Sequence, residues 1–270
     1  MVFNTPEQIA ALTPQNPFGR LPDGRPRVPD DLIERMKLVT TEEAWSVLER
    51  RHGYFFQFEG DWLNLHPDRV LVGRAVTAQF VPLRPDLQDY VEGWGRAAGH
   101  SGGQNTWVID ALQPNDVLVV DLFGKIRYGT IVGDNLSTAI RSRAGTGLVV
   151  DGAIRDLQRI HALEGFNVFT RGVDPTPIRD VTLAGVNVPI RIGNATVLPG
   201  DIVLGTRSGV IFIPPHLAQE VVESSENTRL RDQFGQLRIR EGVYTSGEID
   251  VSTWQPAIEA DFQAWRTTRG

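Results

Sequence analysis

From Leu148 the sequence reads Leu-Val-Val-Asp-Gly-Ala-Ile-Arg-Asp, an apolar run without polar alternation that ends in two opposite charges side by side. A strand with no polar face suits burial on both sides, which calls for a layered sheet. Val117–Asp121 is a second run of this kind, and Val70–Pro82, rich in β-branched residues, is a third. Helical patterns at 135–144 and 155–164 follow two of these strands. Strand, helix, strand, helix predicts an α/β layer architecture.

The rest of the chain is read by its punctuation. Residues 1–38 carry scattered prolines and charges without strong periodicity and predict a mostly irregular arm, with a short helix over Asp30–Leu38. Thr40 and Glu43 have capping-box spacing before Ala44, Val47 and Leu48, so a helix runs from there to Gly53. Between 180 and 213, short β segments alternate with Gly185, Pro189, Gly193, Pro199-Gly200 and Gly209. A helix is expected from His216 to about Arg231, and a last one carries Ile258, Phe262 and Trp265 as a packing stripe.

Composition removes several chemistries. There are no cysteines, which excludes disulfides, thiolate metal sites, iron–sulfur clusters and a cysteine nucleophile. A formal charge of −6 provides no general basic field, so nucleic acid is not the expected partner. No apolar run approaches the roughly 20 residues that span a bilayer, and the first residues lack a signal-peptide layout; a cytoplasmic protein without a membrane partner is expected. The only lysines are Lys37 and Lys125, so an imine mechanism has two possible nucleophiles.

Arg155 beside Asp156 is the pairing with most chemical content, because a guanidinium grips a carboxylate in a fork while a carboxylate holds a hard divalent cation. Asp156 has a competing reading as an acid favoured by a helix N-terminus. Upstream, Gly133-Asp134-Asn135-Leu136-Ser137 opens a short helix ending near Gly145, and a helix start leaves backbone N–H groups free for an anion. It also reads as an ordinary cap. Asp121 and Asp151 read more simply as strand ends that hydrogen-bond a turn. His52, His66, His100, His161 and His216 show no paired metal-ligand spacing, although His100 could face a site from its glycine-rich loop.

These segments, together with Val-Gly-Arg-Ala-Val-Thr at 72–77, Pro-Asn-Asp-Val-Leu-Val-Val-Asp at 114–121, Val-Asn-Val-Pro-Ile at 186–190, Val-Leu-Pro-Gly-Asp at 197–201 and Gly-Val-Ile-Phe-Ile-Pro at 209–214, resemble the RraA-like family. That family includes the 4-hydroxy-4-methyl-2-oxoglutarate aldolases and the regulators of ribonuclease activity. The resemblance implies a layered β/β/α core over 66–245, with a helical N-terminal extension at 1–65 and a C-terminal helical tail at 246–270. It implies Mg²⁺ or Mn²⁺ on Asp156, and a 2-oxo acid whose carboxylate is held by Arg155 and by backbone N–H groups of the Gly133 segment, chiefly Leu136 and Ser137. Asp134 is placed toward metal-bound water. A glutamate from an adjacent subunit, here Glu226 with Glu223 as rival, completes the site of a homotrimer or a pair of trimers. The implied activity is retro-aldol cleavage of a 4-hydroxy-2-oxo acid to pyruvate, with oxaloacetate decarboxylation open to the same site. A protein-binding regulator and a sugar-acid dehydratase remain alternatives. The family's Gly-Asp-x-x-Gly-Val pattern departs at Thr206, which bears on the loop rather than on the metal site.

Overall fold

The computed structural model describes residues 3–268. The arm is more ordered than its sequence predicts. It contains α1 (Pro6–Leu12), closed by a capping box in which the Thr5 side chain accepts the Gln8 N–H and the Gln8 side chain accepts the Thr5 N–H. Seven residues are too few to display periodicity, which is why the cap alone could have betrayed this helix. Next come α2 (Asp30–Met36) and α3 (Thr41–His52), the latter with the expected Thr40–Glu43 box. Two short strands, β1 (Phe58–Glu59) and β2 (Leu63–Asn64), precede β3 (Leu71–Pro82).

Helices α4 (Pro85–Ala97) and α5 (Gln104–Asp110) cross from β3 to β4 (Asp116–Thr130), and α6 (Asp134–Ala144) leads to β5 (Gly147–Ile154). The helix after β5 is shorter than expected: α7 spans Leu157–His161 only, because Asp156 sits in the left-handed region at φ 57° and delays its start. Then follow β6 (Asn167–Val173), β7 (Val181–Val186), β8 (Ile190–Ile192), β9 (Ala195–Val197), β10 (Ile202–Thr206) and β11 (Gly209–Ile213). After a single 3₁₀ turn, α8 (Ala218–Arg240) continues well past Arg231, and α9 (Ser246–Ile249) and α10 (Pro256–Thr267) close the chain. The extra length of α8 carries Phe234, whose ring packs at tilted and edge-on angles against Trp254, Phe262 and Trp265, so the aromatic stripe packs within its own chain.

Nine strands form one mixed sheet, in the order β1-β11-β10-β3-β4-β5-β6-β2 with β7 paired to β3. Its centre, β3 to β6, is parallel, as helical crossovers require. Successive residues of β4 face opposite ways: Leu118 and Val120 pack under α4 to α7, while Val117 and Val119 meet the small β8–β9 ribbon. A third core lies between α2, α3, α8 and the β10–β11 hairpin. The result is the layered α/β arrangement that the continuous apolar strands demanded.

The arm is pinned into this body by Arg25, which is fully buried and donates to both carboxylate oxygens of Asp116 at 2.9 and 2.8 Å. Asp23 takes its Nε at 2.7 Å. A buried charge at this depth persists only when paired and hydrogen-bonded.

Candidate active site

Parallel neighbours β4 and β5 deliver their carboxyl ends to the same edge, where crevices in open α/β sheets form. Beyond the strands the two segments stay zipped: Ile131 N–H donates to Ala153 O at 3.0 Å and Arg155 N–H to Val132 O at 3.1 Å. Gly133 is thereby pressed onto the Arg155-Asp156 turn. A Cβ at residue 133 would collide with Asp156 Oδ2 and stand 3.0 Å from Arg155 Nε. Its backbone is extended, so glycine is required here for closeness and not for conformation.

The side chains of Arg155 and Asp156 are 43% and 38% exposed, enough to receive a ligand. Their mutual approach, Nε to Oδ2 at 3.7 Å, is loose and leaves hydrogen-bonding capacity on both. Asp134 opens α6, and its N–H points to Asp156 Oδ2 at 3.4 Å. The Arg159 guanidinium donates to Asp134 Oδ2 at 2.9 Å and holds that carboxyl below its usual range. Arg159 was missed in the sequence, although its position one helical turn beyond Arg155 was a usable signal.

One expectation needs correction. Ser137 N–H donates to Gly133 O at 3.0 Å as the first helical bond of α6, so it is not free for an anion. Only the N–H groups of the first turn lack helical partners, and Leu136 is the last of them. What Ser137 brings instead is a buried hydroxyl without a hydrogen-bond partner among the described residues.

Other residues singled out in the sequence lie elsewhere. Within the chain, Glu226 on α8 is gripped by Arg35 through two 2.8 Å hydrogen bonds, which lower its pKa, and Glu223 accepts from Gln219 at 2.8 Å. Lys125 lies 6.0 Å over the Phe123 ring. Asp121 does accept a turn N–H, from Phe123 at 3.0 Å, whereas Asp151 pairs with Arg171 at 2.9 Å. His100 stacks on Phe3 and Trp107 and so serves packing. His66 and His161, far apart in sequence, bring their rings to 4.4 Å, a pairing that linear spacing does not reveal. Thr206 secures its own turn, accepting Ser208 N–H at 3.1 Å and meeting Thr41 Oγ1 at 2.6 Å.

Among the described residues no three His, Cys, Asp or Glu side chains converge as a metal cage. Asp156 with Asp134 beside it is a two-carboxylate edge, open to solvent. Such a donor set fits a hard ion that keeps most of its water, Mg²⁺ or Mn²⁺, and does not fit a fully protein-ligated metal.

In class, this is a layered α/β chain that sets an Arg-Asp turn against a helix start at the carboxyl ends of parallel strands. More particularly, the family model described as RraA-like, Aldolase/RraA, matches residues 43–212, and the chain belongs to the RraA-like family. It is 30% identical, over 62% of its length and 80% of the relative's, to a protein of Halalkalibacterium halodurans provisionally named 4-hydroxy-4-methyl-2-oxoglutarate aldolase. A protein of Methanocaldococcus jannaschii without assigned function is 28% identical, over 59% of this chain and 79% of that one. The crystal structure of Streptomyces coelicolor RraAS2, described as an unusual member of the RNase ES inhibitor RraA family, superposes with a TM-score of 0.67 at 25% identity. It covers 82% of this chain and all of that one. No helix among the described residues is long and apolar enough to cross a membrane.

Proposed function

We propose that this chain is a divalent-metal-dependent lyase acting on a 2-oxo acid, foremost a retro-aldolase that cleaves a 4-hydroxy-2-oxo acid to pyruvate. The observation that carries this reading is Gly133, whose missing side chain lets a helix start, a guanidinium and a carboxylate share one edge. The H. halodurans relative's name supports the same chemistry.

In this reading Arg155 binds the substrate carboxylate in a fork, and Leu136 N–H at the positive end of α6 adds to its orientation. Asp156 would hold the metal ion, which when bound would supply positive charge to stabilise electron density on the 2-oxo oxygen. Asp134, kept anionic by Arg159, orients a water for proton movement. Glu226 of a neighbouring copy completes the proton path, and a homotrimer or pair of trimers is the matching assembly. For that role Glu226 must exchange its Arg35 partner on assembly. Loss of CO₂ from oxaloacetate leaves the same electron pair to stabilise, so decarboxylation is an expected second activity.

The test is pyruvate release from a panel of 4-hydroxy-2-oxo acids, oxaloacetate and sugar acids, before and after chelation. Activity should vanish on chelation and return with Mg²⁺ or Mn²⁺. Asp156→Ala should abolish turnover, while Arg155→Ala should chiefly raise KM. Undiminished turnover of metal-free enzyme would overturn the reading. Borohydride reduction with pyruvate should leave no adduct on Lys125.

A further inference from the structure

A cavity of about 440 Å³ lies away from the Arg155 turn, between the arm after α1, the residue Tyr54 after α3, the β9–β10 turn and the 3₁₀ turn before α8. That size is typical of sites for small organic ligands. Leu12, Pro14, Leu198, Pro214 and Pro215 give it apolar walls. Tyr54 and His216 stand together on one side, Oη to Nε2 at 3.4 Å. The wall from the arm is braced, since Arg20 donates to Thr13 Oγ1, Thr13 O and Gly24 O at 2.9 Å each. Residues 12–16, which form the wall from the arm, lie outside the segment at 43–212 that matches the family, whereas Tyr54, Leu198 and Asp201 lie inside it.

Asp201 is the one acidic residue in the lining, and neither lysine nor arginine accompanies it. Its carboxyl is buried and receives a single hydrogen bond among the described residues, from Leu198 N–H at 2.8 Å. Burial pushes it up to about 7. Burial also holds the His216 imidazole below its usual range, so at neutral pH it contributes no opposing positive charge. An under-satisfied carboxyl in an apolar chamber, with a tyrosine ring nearby, is the combination that selects an ammonium carried on an apolar body.

We propose that this cavity is a binding site for a small organic cation, an amine with an apolar body about the size of one ring, its ammonium seated against Asp201. The amine enters as the cation, and any proton on Asp201 leaves to solvent as the pair forms.

Benzylamine is a suitable probe, with benzyl alcohol and benzoate as neutral and anionic analogues of similar size. Calorimetric titration should show saturable one-to-one benzylamine binding, benzyl alcohol weaker by at least about tenfold, and no benzoate binding. Asp201→Asn should weaken benzylamine by at least about tenfold and leave the alcohol unchanged. Gln15→Trp, on the exposed rim, should obstruct both. If Asp201→Asn does not fold, the wild-type chain still decides: titration at pH 7 in two buffers of different ionisation enthalpy should show proton release on benzylamine binding. Absence of saturable binding, equal affinity in Asp201→Asn, or no proton release would each overturn the proposal. Asp156→Ala should bind benzylamine normally, which separates this site from the lyase site.

Discussion

At the scale of single residues, the site depends on an atom that is absent. Gly133→Ala is sterically allowed by its own backbone angles, yet the added methyl would displace the Asp156 carboxylate and crowd Arg155. Turnover should fall by about 100-fold with little change in melting temperature, because a misplacement of about 1 Å at a reacting centre has that effect. Wild-type kcat in this variant would show that Asp156 need not sit where it does. Asp201 makes a different prediction. Its folded pKa is raised to about 7 from the ordinary 3.8, so the folded chain keeps a proton that the unfolded chain releases. The sign follows from linkage: the contribution of this carboxyl to stability is fully present below roughly pH 4 and is lost as pH rises through about 7. Asp201→Asn should flatten this segment of a melting series and raise Tm at pH 8; an unchanged slope would place the linkage elsewhere.

Among the elements, the arm matters most. It reads as irregular, and much of it is, but α1 is boxed and Arg25 is sealed against Asp116. Arg25→Met should destabilise the chain by about 3–5 kcal/mol in urea unfolding, since it strands a buried carboxylate. Arg25→Met with Asp116→Leu should recover most of that loss. Failure of the double variant to recover would mean that Arg25 works through Asp23 and the Ala75 carbonyl instead. Nothing in the linear pattern marked Arg25, because an arginine in a proline-rich arm looks the same whether it is solvated or buried. The capped helix α3 and the strand β3 were legible for the opposite reason: their signals, a Thr–Glu box and a dense β-branched run, are local.

For the whole molecule, the decisive prediction concerns assembly. If Glu226 serves a neighbouring copy, Asp156→Ala and Glu226→Gln should each be inactive, and mixing them under subunit exchange should restore some activity. Glu223→Gln should remain active as the control. Demonstrably mixed oligomers without activity would return Glu226 to its structural pair with Arg35, and a fully active monomer would remove the shared site altogether.

The layered α/β class and the buried apolar runs at 117–121 and 148–151 were legible in order along the chain, since each is written in contiguous residues. The strands do not end at Asp121 and Asp151, however: they continue to Thr130 and Ile154. The remainder was set by packing, which put Gly133 against Asp156, spent the Ser137 N–H on the first turn of α6, brought Arg159 onto Asp134 and closed the arm over Asp201. These depend on which carboxyl ends share an edge and which charges lose water, and those are properties of a packed sheet with its crossovers, not of residues taken in order.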